Sequence, residues 1–150
     1  MKNNKLNRHE IRQAALILLY QAEVLEAIPS DGSLEPAPDI ENIKADCVEA
    51  FGLAVDSEVM KLVRGVLENK AALDEIINKY SPVRKVERIP KINLAIMRMA
   101  LYEMDFMAAV PDKVALNEAI ELSKEFAFSP DSKLIGGLIG GYYKDKHNVK

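Results

Sequence analysis

Two histidines, one cysteine and a scatter of bases are the residues from which chemistry could be built in this 150-residue chain. His9 and His147 lie near opposite ends, and Cys47 is far from both. No zinc-ligand spacing and no nucleophile–base pairing arises from that distribution. A lone thiol excludes an internal disulfide and fits a reducing compartment. Among Val48, Ala50 and Phe51, Cys47 reads as a small buried hydrophobe rather than a reactive group. Carboxylates such as Glu118 and Glu121 recur at helical spacing, the pattern of a solvated face. No Walker-type loop occurs and no Gly-rich turn follows a strand, so the common nucleotide-binding routes lack their residues. The expectation is a protein without cofactor or metal that is not an enzyme and works by binding.

Charge says where binding could occur. The net charge of −3 conceals a segment, residues 23–58, with ten acids against one base, Lys44. That segment carries −9 and the remainder of the chain +6. Bases gather at the N-terminus (Lys2, Lys5, Arg8, Arg12), over Arg84 to Lys91, and in the tail (Lys144, Lys146, Lys150). An acidic protein can still present a basic face to a phosphate backbone; ordinary solvated helix ends are the plainer reading of the same composition.

Helices must position these groups. Ile11, Ala15, Leu18, Ala22 and Leu25 fall at three- and four-residue spacings and predict a helix over about 8–27, enclosed on several sides because AALILLY is apolar on its flanks. PSDGSLEPAPD then reads as an acidic, proline-rich loop at about 28–39. Asp39 can cap a helix over about 39–52 with Ile40, Ile43, Cys47 and Ala50 or Phe51 inward, ended by Gly52. Asp56 can cap a longer one over about 57–80, broken by Ser81-Pro82. A short turn at 83–89 leads to PKINLAIMRMALYEMDFM, the most apolar helix, expected at the centre of a bundle with Phe106 among its core residues. Helices over about 111–127 (Ala115, Ala119, Leu122 and Phe126 inward) and 130–145 (Leu134, Leu138, Ile139 and Tyr142 inward) complete the chain, the last capped by Ser129 with Pro130 and Asp131 in its first turn. No alternating β-branched run survives. The class is all-α, a single domain over 1–150.

Four glycines, Gly136, Gly137, Gly140 and Gly141, lie within the last helix. Each costs about 1 kcal/mol relative to Ala in a helix, so a use for them is expected: close packing of another helix first, a partner's backbone or a helix break as the alternatives. The N-terminal stretch MKNNKLNRHEIRQ is polar and the apolar run Ala14 to Tyr20 spans seven residues, where a membrane span needs about twenty. A cytoplasmic protein is expected.

Taken in order, these segments resemble the NusB family of bacterial transcription antitermination factors. The strings are ALILLYQAE after a basic start, AIMRMALYEM (95–104), VPDKVALNEAIELSKEF (110–126), and Asp131, Ser132 and Lys133 followed by Gly137. The resemblance implies about seven helices in two packed three-helix subdomains. It also implies binding of single-stranded boxA-type RNA together with the ribosomal protein NusE, as part of the RNA polymerase antitermination complex and in ribosomal RNA maturation. By position it assigns Lys5, Arg8, Arg12 and Lys133 to RNA, and Tyr20 and Asn93 to the NusE contact. The sequence departs from the family in its spaced N-terminal bases, in Lys-Leu-Ile-Gly-Gly where Lys-Phe-Val-Asn-Gly is usual, and in Asn93 where an acid is common. Two alternatives follow from the departures: a NusB-fold protein acting through protein contacts alone, and a free-standing relative of the helical domain of ribosomal RNA cytosine methyltransferases. The glycine strips leave a homodimer open.

Overall fold

A computed structural model describes residues 5–27, 39–82, 85–128 and 130–148. The acidic loop over 28–38, Arg84 of the central basic cluster, Ser129 as a cap, and Lys2 and Lys150 lie outside the described residues. Among those described there are seven α-helices: α1 (Arg8–Ala27), α2 (Ile40–Phe51), α3 (Ser57–Glu68), α4 (Lys70–Tyr80), α5 (Lys91–Phe106), α6 (Asp112–Phe126) and α7 (Asp131–Lys146). A 3-10 turn, Val86–Arg88, precedes α5. No described helix is long and apolar enough to cross a membrane.

The helix starts follow from local chemistry. Asn7 and Glu10 form a reciprocal capping box at α1: Glu10 N–H donates to Asn7 Oδ1 at 2.8 Å and Asn7 N–H to Glu10 Oε1 at 3.0 Å. Asp39 and Asp56 accept from Asn42 N–H at 2.9 Å and Val59 N–H at 3.0 Å, as their positions before α2 and α3 predict. Gly52 closes α2 in the left-handed region at φ 65°, where a side chain would be strained. The single helix expected over 57–80 is two. Asn69 interrupts it with φ −108° and ψ 13°, and its Nδ2 donates to the Gly65 carbonyl at 2.8 Å. A short amide side chain competes for backbone partners in this way.

The chain divides into two compact units, Met1–Arg64 and Gly65–Lys150. In the first, α1 packs on α2, and an Arg64–Glu41 ion pair links α3 to α2. Ala14, Ala15, Leu16, Leu18 and Leu19 of α1 are all buried, as its apolar flanks predict. Ile43 and Cys47 form the buried stripe of α2, and Cys47's thiol is pushed up by burial and then by Asp46. Ala50 and Phe51 do not join that stripe; Phe51 is 70% exposed.

In the second unit α5 contacts α4, α6 and α7. Eleven of its residues are buried, including Arg98, whose guanidinium grips Asp74 of α4 at 2.7 and 3.0 Å. Gly65 lets α5 come close: a Cβ there would lie 2.1 Å from the Tyr102 hydroxyl. Three expected core residues face outward. Phe106 is exposed, Phe126 gives way to the wholly buried Ser123, and Leu134 is 56% exposed while Ile135 takes the inner position. The exchange of Leu134 for Ile135 is a rotation of about 100° between adjacent apolar residues.

Candidate functional site

Lys5 and Arg8 stand exposed at the start of α1. Arg8 occupies the first helical position, next to the capping box, where the unsatisfied N–H groups already carry partial positive charge. Cations at this end oppose the helix dipole and together favour an anion. Arg12, expected beside them, is 4% exposed and has partners within the fold. Of the three bases assigned to RNA, Lys5 and Arg8 face solvent, where a phosphate can reach them, and Arg12 is buried. Tyr20, farther along α1, is 38% exposed.

The other assigned residues belong to the second unit. Lys133 is exposed in the first turn of α7, again at a helix N-terminus. Asn93, in the first turn of α5, is 4% exposed, so its side chain does not offer an open surface contact. Its Oδ1 is buried without a hydrogen-bond partner. Asn93 instead lines a cavity of about 230 Å³ whose walls are Ile89 and Pro90 before α5, Met97 on α5, and Leu134 and Leu138 on α7. Asp131 and Ser81 are at its polar margin. The fold thus brings Asn93 and the start of α7 to one place, 40 residues apart in the chain from Asn93 to Lys133. The sequence held one signal for this cavity, an asparagine embedded in the apolar run INLAIM.

The glycines of α7 do not do what their spacing predicts. A Cβ at Gly136 would touch Ile120 at 3.4 Å and one at Gly141 would touch Tyr80 at 3.5 Å, both ordinary contacts. At Gly137 and Gly140 nothing lies within 4 Å. Close packing therefore explains none of them, and the Gly137 face is open.

Sequence reasoning also missed a polar network at the far end of α7. Tyr142 donates its hydroxyl to Asp105 at 2.7 Å, Lys146 Nζ reaches Asp112 at 2.9 Å and the Met104 carbonyl at 2.7 Å, and His147 Nε2 lies 2.8 Å from Asp112. Tyr80 donates to Asp145 at 2.6 Å. The ionisations shift accordingly. Tyr142 is raised far above its usual range by burial and then by Asp105; Tyr80 is raised by its bond to Asp145. Burial would raise Asp112, but the hydrogen bonds and charges of Lys146 and His147 outweigh it and hold the carboxyl low. Burial would lower Lys146, and the bonds and charges of Asp112 and Asp105 outweigh it and hold the amine high.

Against known proteins, the profile described as the NusB family matches residues 9–144. The Transcription antitermination protein NusB of Listeria welshimeri is 35% identical over 134 residues, which are 89% of this chain and 94% of that protein. In fold the chain is similar to T. maritima NusB, with TM-score 0.76 and 23% identity over 94% of this chain and 93% of that one. It is also similar to a chain from a crystal structure of antitermination factors NusB and NusE in complex with dsRNA. There the TM-score is 0.74 and the identity 18%, over 92% of this chain and 96% of that one.

Proposed function

The chain belongs to the NusB family, and from that premise we propose that it is a transcription antitermination factor that binds boxA-type single-stranded RNA together with the ribosomal protein NusE. It works by contact and not by catalysis, in the cytoplasm, as one component of an RNA polymerase antitermination complex. The observation that carries this reading is the extent of the match: a relative named for antitermination aligns with nearly the whole chain. The geometry supports it through Lys5 and Arg8, two exposed bases at the positive end of α1, and through Lys133 at the equivalent end of α7. Phosphate contacts of this kind supply most of the sequence-independent affinity for RNA. Arg12, buried and partnered within the fold, completes the basic start of α1 that is assigned to RNA. Tyr20 contributes its exposed part to the NusE contact. Asn93, being buried, can meet a binding partner only where the cavity admits one.

Fluorescence anisotropy of a labelled boxA-type oligonucleotide, titrated with the protein alone and then with NusE, tests the reading. Binding is expected to tighten with NusE and to weaken steeply with salt. Replacing Lys5 and Arg8 together by Ala should flatten the salt slope by about 0.7 for each phosphate that is no longer neutralised. Absence of binding in both conditions, from folded protein, would leave a family member that acts through protein contacts alone.

A further inference from the structure

The outer face of α2 carries exposed apolar side chains. The residues this helix buries are Ile43 and Cys47. Val48 and Phe51 are 43% and 70% exposed, and Ala45 is exposed one turn before Val48. Positions 45, 48 and 51 follow a three-residue spacing, so they form one ridge on the helix surface. Apolar surface left in water contributes nothing to the fold and is a source of affinity for whatever covers it.

The charge around the ridge is of one sign. Residues 39–58 hold six acids and one base, the half-buried Lys44. Glu41 is engaged by Arg64 of α3, while Asp46 and Glu49 are exposed acids. α2 also ends beside Phe51. Its last turn contains no base, so the partial negative charge of the final carbonyls is not offset there. Gly52 closes the helix with open space where a Cβ would stand, which leaves the helix end open to an incoming side chain. A cation arriving there meets carbonyl oxygens, and its stem or guanidinium plane meets the Phe51 ring.

Charge also chooses among occupants. A phosphate backbone is repelled, and so is the same face of a second copy. The preceding stretch of this chain, residues 28–38, carries Asp31 and Glu35 and no base, so it is disfavoured as well. We propose that the ridge of Ala45, Val48 and Phe51 docks a lysine- or arginine-rich segment of a protein partner. An apolar side chain of that segment rests on Val48, and an arginine lies on the Phe51 ring with its charge towards the carbonyl end of α2. Asp46 and Glu49 supply the longer-range attraction. The contact uses none of the residues assigned to RNA or NusE and does not rest on the antitermination reading.

The probe is a fluorescein-labelled peptide with arginines and leucines at helical spacing, alongside a counterpart with glutamate for every arginine. Both are titrated against the full chain at low and high salt. The arginine peptide is expected to bind and to weaken with salt, and the glutamate peptide not to bind. Phe51→Ser should weaken the arginine peptide about two- to fivefold, the effect of one exposed ring–cation contact. Asp46→Lys combined with Glu49→Lys should weaken it at least about tenfold. These are exposed positions, so the Tm of both variants should equal or exceed that of the wild type, and Phe51→Ser should keep its RNA affinity. Amide spectra should place the peptide-induced shifts on Val48 to Leu53. Equal binding by all three proteins, shifts centred instead on Glu118 and Glu121 of α6, or no binding of the arginine peptide overturns the proposal. A wild-type dimer that Phe51→Ser dissociates also overturns it and gives the ridge to a second copy. Failure of the wild type to bind boxA-type RNA would overturn the antitermination reading and leave the peptide result untouched.

Discussion

At its C-terminal end α7 carries Tyr142, Lys146 and His147 onto the carboxylates of Asp105 and Asp112, whereas near its N-terminal end Leu134 faces solvent and Asn93 Oδ1, on the same cavity, is buried without a partner. One helix thus has an end whose polar groups are answered within the chain and an end beside which one buried acceptor, Asn93 Oδ1, is not. The first arrangement stabilises the unit. The second costs stability, because a buried acceptor left without a donor has lost its water and gained nothing in return.

Perturbing the satisfied end should give the largest loss of stability. Asp112→Ala removes the carboxylate shared by Lys146 and His147, and a loss of about 1–2 kcal/mol is expected, read as a fall in Tm with RNA affinity unchanged. An unchanged Tm would mean that the network is incidental to the fold. The pH dependence sharpens the same point. The folded pKa of Asp112 lies below its ordinary value of about 3.9, so its stabilisation is present above that value and is lost as pH falls through the folded one. Lys146 is raised, so its stabilisation is full below about pH 10.4 and is lost as pH rises through the raised value. Acid and alkaline melting curves of Asp112→Ala should therefore both be flatter than those of the wild type.

At the open end the signs change. Gly137→Ala meets nothing within 4 Å and should stabilise the helix by about 0.5–1 kcal/mol, measured by chemical denaturation; a loss of stability would show that this face is covered after all. Leu134→Ser should move stability by less than about 0.5 kcal/mol, because the side chain is exposed, yet it opens one wall of the cavity. A measurable drop in RNA affinity at unchanged Tm would separate the two ends of α7 most cleanly.

Much of the helical layout was legible because it is local. Asp39, Asp56, Gly52, Ser81-Pro82 and Pro90 act on backbone groups within a few residues, and the boundaries they predict are close to those observed. The break at Asn69 was not legible, since LENKAAL keeps an uninterrupted helical pattern on either side of a residue that can sit within a helix or end one. Leu134 and Ile135 are chemically equivalent neighbours, so periodicity could place the stripe on either. Phe126 yields its inward place to Ser123, whose hydroxyl is satisfied by the Ile120 carbonyl at 2.6 Å.

The sequence by itself determined the all-α class, most helix limits, the location of the bases and a family resemblance over nearly the whole chain. These depend on periodicity, capping and residue identity, which short stretches of chain contain. Tertiary structure alone decided that Arg12 is buried while Arg8 is exposed, that Gly137 is open, that Asn93 Oδ1 lacks a partner beside a cavity, and that Asp112 gathers Lys146 and His147. Burial and hydrogen-bond satisfaction belong to pairs of residues far apart in the chain, and only the packed helices bring those pairs together.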